Sequence, residues 1–236
     1  MAIYLAEFLG TMFLILLGDG VVANVCLNKS GMKGAGSIQI TLAWAAAVLV
    51  PATIFGTVSG AHFNPALTIA LAFVSGDFST VPGYIAAQLL GAIVGGILVW
   101  LHFKPHYDAE ENAGTILGTF STGPAIPHTG WNLVSEIIGT FVLVFALINF
   151  AANQSVPGAA QLIVFVLIMS IGMSLGGTTG YAINPARDLG PRIAHAILPI
   201  PNKGDSNWGY SWIPVVGPVI GGLLAAVASQ AIAFIY

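Results

Sequence analysis

The sequence predicts an all-α membrane protein of six transmembrane helices plus two half-helices, built as inverted three-span repeats. Composition is the first reason: 56% of the residues are hydrophobic and 6% charged, with a mean hydropathy of +0.89, where a soluble domain carries about 25% charged residues. A chain with so little polar cover belongs in a bilayer. Length is the second: a spanning helix needs about 20 mostly apolar residues, and six stretches qualify, at 3–26, 37–58, 83–101, 133–152, 159–177 and 213–235. The third is that the chain repeats itself.

Three matches occur in the same order in both halves. AEFLGTMFLIL (6–16) answers SEIIGTFVLVF (135–145), so that Glu7 pairs with Glu136. SGAHFNPALTIA (59–70) answers TGYAINPARDLG (179–190), with the two Asn-Pro-Ala triplets 120 residues apart. YIAAQLLGAIVGG (84–96) answers YSWIPVVGPVIGG (210–222), with Gly91, Gly95 and Gly96 set against Gly217, Gly221 and Gly222. The chain is read as a single channel domain, 1–236, with repeats 1–102 and 132–236 joined by a loop at 103–131. Three crossings per half reverse the direction of the chain, so the second repeat sits upside down relative to the first. In inverted-repeat membrane proteins the functional site lies near the midplane, where short helical segments meet.

The elements follow in order. The first stretch has no basic n-region, carries Glu7 and Asp19, and is too long for the apolar core of a secretory signal, so it is expected to be a retained helix. Ala66–Val74 and Ala186–Ile197 each follow an Asn-Pro. About ten residues at 1.5 Å each cover roughly 15 Å, half of a hydrocarbon core. Asn is a favoured N-cap and Pro a favoured first helical residue, so Asn64-Pro65-Ala66 and Asn184-Pro185-Ala186 read as two helix starts that face each other. A single such triplet reads better as an ordinary loop turn; two at matched positions do not. Non-helical backbone at that depth is tolerated only where protein buries it or water lines it, which implies a polar pathway. Gly91-x-x-x-Gly95 and Gly217-x-x-x-Gly221 mark close helix crossings.

These motifs together resemble the aquaporin family, the major intrinsic proteins, over nearly the whole chain. The resemblance implies a filter of four residues, here Trp44, Gly172, Tyr181 and Arg187. Water-selective members usually have His where Gly172 stands. Gly172, Asp188 after Arg187, and Pro214-Val215 where water pores often carry aromatics are similar to the aquaglyceroporin, or glycerol facilitator, branch. Tyr181 departs from it, since glycerol facilitators typically have Phe there; the extra hydroxyl either narrows the opening or adds a polar contact. The resemblance further implies that Glu7 and Glu136 support the two pore loops by hydrogen bonds, where the residues alone also allow an acid placed in a helix first turn. His62 is read as a pore-loop residue bonded to nearby backbone, and Asp188 is grouped with these supports.

The implied function is a passive channel for glycerol and similar small uncharged solutes, also passing water and excluding ions and protons. A pore mainly for water, or for protonated lactic acid, urea or dihydroxyacetone, is the alternative. A coupled secondary transporter also uses inverted repeats, but needs a titratable or ion-coordinating residue at the midplane. The family implies a homotetramer in the cell membrane with both termini cytoplasmic. Lys29, Lys33, Lys104 and Lys203 fall on loops after spans 1, 3 and 5, and the positive-inside rule would reverse that orientation. No cofactor and no metal are expected, and a net charge of −3 without a basic cluster argues against nucleic acid.

Other signals carry less. The single cysteine, Cys26, excludes an intrachain disulfide. Gly172-Met-Ser-Leu-Gly176 matches a nucleophile elbow in letters, but lies in an apolar span without the strand-turn-helix context that an enzyme needs. His102 and His106 have helical spacing, but Pro105 intervenes and the segment reads as loop. Asn28-Lys-Ser and Asn153-Gln-Ser match glycosylation sequons on opposite faces. FSTGPAIPH (120–128) resembles a vestibule loop whose carbonyls bind Arg187; the other reading is a plain solvated connector.

Overall fold

The computed structural model describes residues 1–152 and 159–233, and among them every regular element is a helix. In chain order these are α1 (Ala2–Cys26), α2 (Ser37–Ser59), α3 (Pro65–Ser75), α4 (Val81–His102), α5 (Lys104–Asp108), α6 (Ala113–Gly118), α7 (Thr129–Ala152), α8 (Ala159–Leu175), α9 (Pro185–Ile197) and α10 (Ile213–Ala233). Helices α1, α2, α4, α7 and α10 are long and apolar enough to cross a membrane. The fifth expected span, 159–177, is α8, which ends earlier, at Leu175. Its 17 residues reach about 26 Å at 1.5 Å per residue. Gly176 and Gly177 follow in a turn, where glycine is a poor helix former. The segment expected to be loop around Pro105 is instead helical: Pro105 lies in the first turn of α5, where its missing N–H costs nothing.

Packing follows the duplication. In the first repeat α1 packs on α2 and α4; in the second α7 packs on α8 and α10. The half-helices cross over, α3 lying on α10 and α9 on α4, so each repeat seats its short helix on the third span of the other. Outward residues such as Leu5, Ile54, Leu90, Leu162 and Leu224 are apolar and exposed, as expected of faces solvated by lipid or covered by a neighbour. The buried charge is concentrated in α9, which carries Arg187, Asp188, Arg192 and His195.

The glycine register of the third spans differs from the sequence match. A Cβ on Gly91 would overlap the Phe8 carbonyl of α1, and a Cβ on Gly221 would overlap the Ile137 carbonyl of α7. Phe8 and Ile137 each follow the matched glutamates, so Gly91 corresponds to Gly221, one helical turn from the expected Gly217. Likewise Gly222 abuts Ala66 and Ala70 of α3, as Ala92 abuts Gly190 of α9. The physical reason is that small residues recur every four positions, and a shift of four returns nearly the same helix face. Sequence similarity alone therefore fits both registers.

Candidate functional site

The site begins where α2 and α8 stop. Gly60, Ala61 and Phe63 have φ of 82°, 54° and 48°, and Gly180, Tyr181 and Ile183 have 79°, 40° and 43°. A left-handed conformation at a non-glycine residue costs about 1–3 kcal/mol, so both segments need an external hold. Two fully buried carboxylates provide it. Glu7 Oε1 accepts from Ser59 Oγ (2.6 Å) and His62 N (3.0 Å), and its Oε2 from Phe63 N (2.7 Å) and Gln88 Nε2 (2.8 Å). Glu136 Oε1 accepts from Thr179 Oγ1 (2.7 Å) and Ala182 N (3.0 Å), and its Oε2 from Ile183 N (2.8 Å). Neither α1 nor α7 has an acid in its first turn, which removes the helix-dipole reading of these residues.

Each segment then enters a half-helix through an Asn-Pro. Asn64 Oδ1 accepts from Ala66 N at 2.9 Å; Asn184 Oδ1 accepts from Ala186 N at 3.0 Å and Arg187 N at 3.2 Å. The amide nitrogens tie the two repeats together: Asn64 Nδ2 donates to Ile183 O and Asn184 Nδ2 to Phe63 O, both at 2.8 Å. One of the two N–H groups of each amide serves this cross-tie, leaving the other for the space between. Pro65, Ala66, Pro185 and Ala186 are buried.

A cavity of about 700 Å³ runs past both asparagines. Trp44, Tyr181 and Arg187 line it, together with Leu71, Leu147, Phe150 and Gln161. Arg187 stacks on the Trp44 ring, its Cζ 4.1 Å from the centroid. Arg187 Nη1 donates to Phe120 O at 3.4 Å and lies 3.1 Å from Asp19 Oδ1. A Cβ on Gly18 would strike the Trp44 ring, so this glycine lets the indole sit flat against α1. Gly172 does not line the cavity; the Tyr181 ring fills the space a side chain there would take, with Cζ 2.9 Å from where a Cβ would stand.

The Tyr181 hydroxyl is turned away from the cavity, buried beside Gly172 and Thr41 without a hydrogen bond of good geometry. Only the ring is offered inward, so the position presents what a phenylalanine would. Tyr181→Phe is therefore expected to leave the flux of any solute that passes this cavity within about twofold of wild type, since no solute contact worth the usual 0.5–1.5 kcal/mol is lost. Stopped-flow light scattering of proteoliposomes checks this.

Asp188 does not pair with its neighbour Arg187. Its carboxylate accepts from Arg192 Nε (2.8 Å) and Nη2 (3.0 Å), and from Thr122 N (2.8 Å) and Oγ1 (2.7 Å). Arg192 also donates to Thr122 O (2.9 Å) and Ser206 O (2.7 Å). With Ala125 N bonded to Thr178 O at 2.9 Å, FSTGPAIPH is a fastened part of the site and no plain connector. His62 differs from expectation in its partner: the ring Nδ1 meets the Thr68 hydroxyl at 3.1 Å, while its own backbone N–H is the group that Glu7 holds.

Four residues of the site were not singled out from sequence. Gln88 bridges Glu7 and Thr68, Thr122 and Arg192 complete the Asp188 network, and Asp19 reaches Arg187. Their only advance signal is that polar residues in apolar spans need partners. Elsewhere, Gly172-Met-Ser-Leu175 is the last turn of α8 with Gly176 just beyond it, and His102 and His106 flank the Phe103 ring at 4.8 and 5.8 Å. Asn28 binds Glu110 through its backbone and side chain, and Asn153-Gln-Ser lies outside the described residues.

Three comparisons place this geometry among known proteins. The family model described as "Major intrinsic protein" matches residues 1–229. The chain is similar to a glycerol uptake facilitator protein of Streptococcus pneumoniae, 59% identical over 222 residues, covering 94% of this chain and 95% of the relative. It is also similar to glycerol uptake facilitator protein 3 of Lactiplantibacillus plantarum, 56% identical over 225 residues, covering 94% and 93%. Among solved structures, the aquaglyceroporin from Plasmodium falciparum superposes with a TM-score of 0.88 at 28% identity, covering 99% of this chain and 97% of the other.

Proposed function

This chain belongs to the major intrinsic protein family, and we propose that it is a passive transmembrane channel for glycerol that also passes water and excludes ions and protons. It is an integral membrane protein and, in this reading, not an enzyme. One observation carries the reading: at Trp44, Tyr181 and Arg187 two aromatic rings and a guanidinium converge on one cavity, with glycine at 172. A solute stripped of water loses about 1–3 kcal/mol for each hydrogen bond left unmade. Arg187 Nε and Nη2, which no protein acceptor uses among the described residues, replace them on one side. Carbonyls of 60–63 and 180–183 serve the hydroxyl hydrogens, and the exposed parts of the two aromatic rings cover the carbon edge, where each buried CH₂ gains about 0.8 kcal/mol. That pattern matches a small polyol.

Ions are rejected by the same parts. The N-termini of α3 and α9 present positive partial charge to the cavity. The Arg187 charge is offset by Asp19 at 3.1 Å, so the cation barrier rests chiefly on the half-helices. The free amide N–H of each central asparagine orients a passing water so that it accepts from the protein and cannot relay a proton. One pore per subunit of a homotetramer fits the exposed apolar helix faces. The reading places the protein in the cell membrane with both termini cytoplasmic. Lys203 donates to three carbonyls at the end of α9 and Lys104 pairs with Asp108, so two of the four lysines that oppose this orientation serve the fold.

The test is swelling of proteoliposomes after osmotic shock with glycerol, urea, lactic acid and an impermeant sugar. Rapid swelling in glycerol without proton current is the expected result. Water flux alone would reassign the pore to water, and uptake that saturates and follows a proton gradient would make it a coupled transporter.

A further inference from the structure

The buried charge in α1 has no evident packing role. Asp19 is fully buried, does not line the cavity, and has Oδ1 3.1 Å from Arg187 Nη1. Among the described residues neither of its oxygens receives a hydrogen bond of good geometry, so the arginine charge is its compensation. Burying a carboxylate is costly unless a partner compensates it, and an apolar residue would fill the same place without that cost.

The other repeat holds apolar residues at the equivalent positions. The match that pairs Glu7 with Glu136 sets Gly18-Asp19 against Leu147-Ile148, and the match of the triplets sets Arg187 against Leu67. In the other half Leu67, Leu147 and Ile148 belong to one apolar cluster. At one end of the scaffold this corner is therefore hydrocarbon that lines the cavity, and at the other it is an ion pair whose carboxylate is buried behind the wall. The charged version occurs only where the arginine faces the solute path.

We propose that Asp19 is a positioning residue for solute selection, acting through Arg187. The inference rests on the channel reading above. Three contacts fix the guanidinium: its face lies on Trp44, and Nη1 is held by Phe120 O and by Asp19 from the side away from the cavity. Nη1 is thereby held at the protein wall, while Nε and Nη2 have no protein acceptor among the described residues. Without the carboxylate, the 3.4 Å contact to Phe120 O is the remaining polar tie. The guanidinium then slides over the indole into the passage, narrowing it for a polyol more than for water.

The experiment uses the full chain in proteoliposomes and reads the ratio of glycerol to water permeability in wild type, Asp19→Asn, Arg187→Leu and the double variant. Asp19→Asn is expected to lower the ratio about tenfold, the size typical of coupled neighbours. Added to Arg187→Leu, it is expected to change the ratio no further. An unchanged ratio in Asp19→Asn, or effects that multiply in the double variant, overturns the proposal; so does an equal fall of both permeabilities, which marks a purely structural residue. If Asp19→Asn accumulates poorly, Asp19→Ile is made on Arg187→Leu, copying the apolar corner of the other repeat. It is expected to raise the yield and leave the Arg187→Leu ratio untouched, and a further shift overturns the proposal. Wild-type liposomes that fail to swell in glycerol defeat the channel reading instead, whatever the variants do.

Discussion

Gly172→His is expected to stop most glycerol passage while water continues to cross. A Cβ at 172 would stand 2.6 Å from Thr41 Cγ2, 2.9 Å from Tyr181 Cζ and 3.0 Å from its hydroxyl oxygen. Thr41 is buried in α2 and cannot retreat. Tyr181 sits in a segment whose φ of 40° is already held by Glu136. The one open direction is the cavity, so either the imidazole or the displaced tyrosine ring moves into it. Overpacking of this kind costs about 1–3 kcal/mol of stability, and the ring that relieves it stands in the passage, where each ~1.4 kcal/mol added to the barrier for glycerol lowers its rate about tenfold. Water needs no room for a carbon edge and loses less. Adding Trp44→Phe removes part of the surface on which Arg187 stacks at 4.1 Å and should lower glycerol further. Light scattering with glycerol and with an impermeant sugar separates the two fluxes; equal loss of both would place the narrowing elsewhere.

The fold was legible because lipid leaves few solutions. With 6% charged residues, spans can be counted from hydropathy, and Asn-Pro repeated at matched places marks two half-length helices whatever the loops do. What stayed hidden depends on register and on direction. The third-span glycines match equally in two registers one turn apart, and only contact with Phe8 and Ile137 separates them. The Tyr181 hydroxyl could have faced either way until the ring was placed against Gly172 and Gly176. Asp188 looks as if it pairs with the arginine beside it, yet adjacent residues on a helix point apart, and its partner is Arg192 at the i,i+4 spacing. Asp19 is the extreme case. Its partner lies in the other repeat, on α9, and nothing within α1 distinguishes it from a stray acid.

Removing Glu136 should cost more than any change in the cavity wall. Its two oxygens satisfy the Thr179 hydroxyl and the backbone N–H groups of Ala182 and Ile183, all buried. In Glu136→Leu these three donors lose their acceptor together, at about 1–3 kcal/mol each. The total, roughly 3–9 kcal/mol, rivals the 5–15 kcal/mol stability of a typical domain. The left-handed Tyr181 and Ile183 then have no reason to stay as they are. Ile183 O would leave Asn64, and the cross-tie between repeats would open. The expected result is little or no folded protein, read as thermal unfolding and monodispersity in detergent. Glu136→Gln should be intermediate: its amide oxygen still serves one side, but its NH₂ must face a backbone N–H of Ala182 or Ile183. Glu7→Leu strands the same two kinds of backbone donor, at His62 and Phe63, together with Ser59 and Gln88. It should be at least as damaging. Gln88 retains Thr68 Oγ1 at 2.9 Å as a second acceptor, so the excess over Glu136→Leu should be small. Near-equal losses would mean that both carboxylates act through the pairs of backbone N–H groups they share, whereas a large gap would shift the weight to the side chains peculiar to the first repeat.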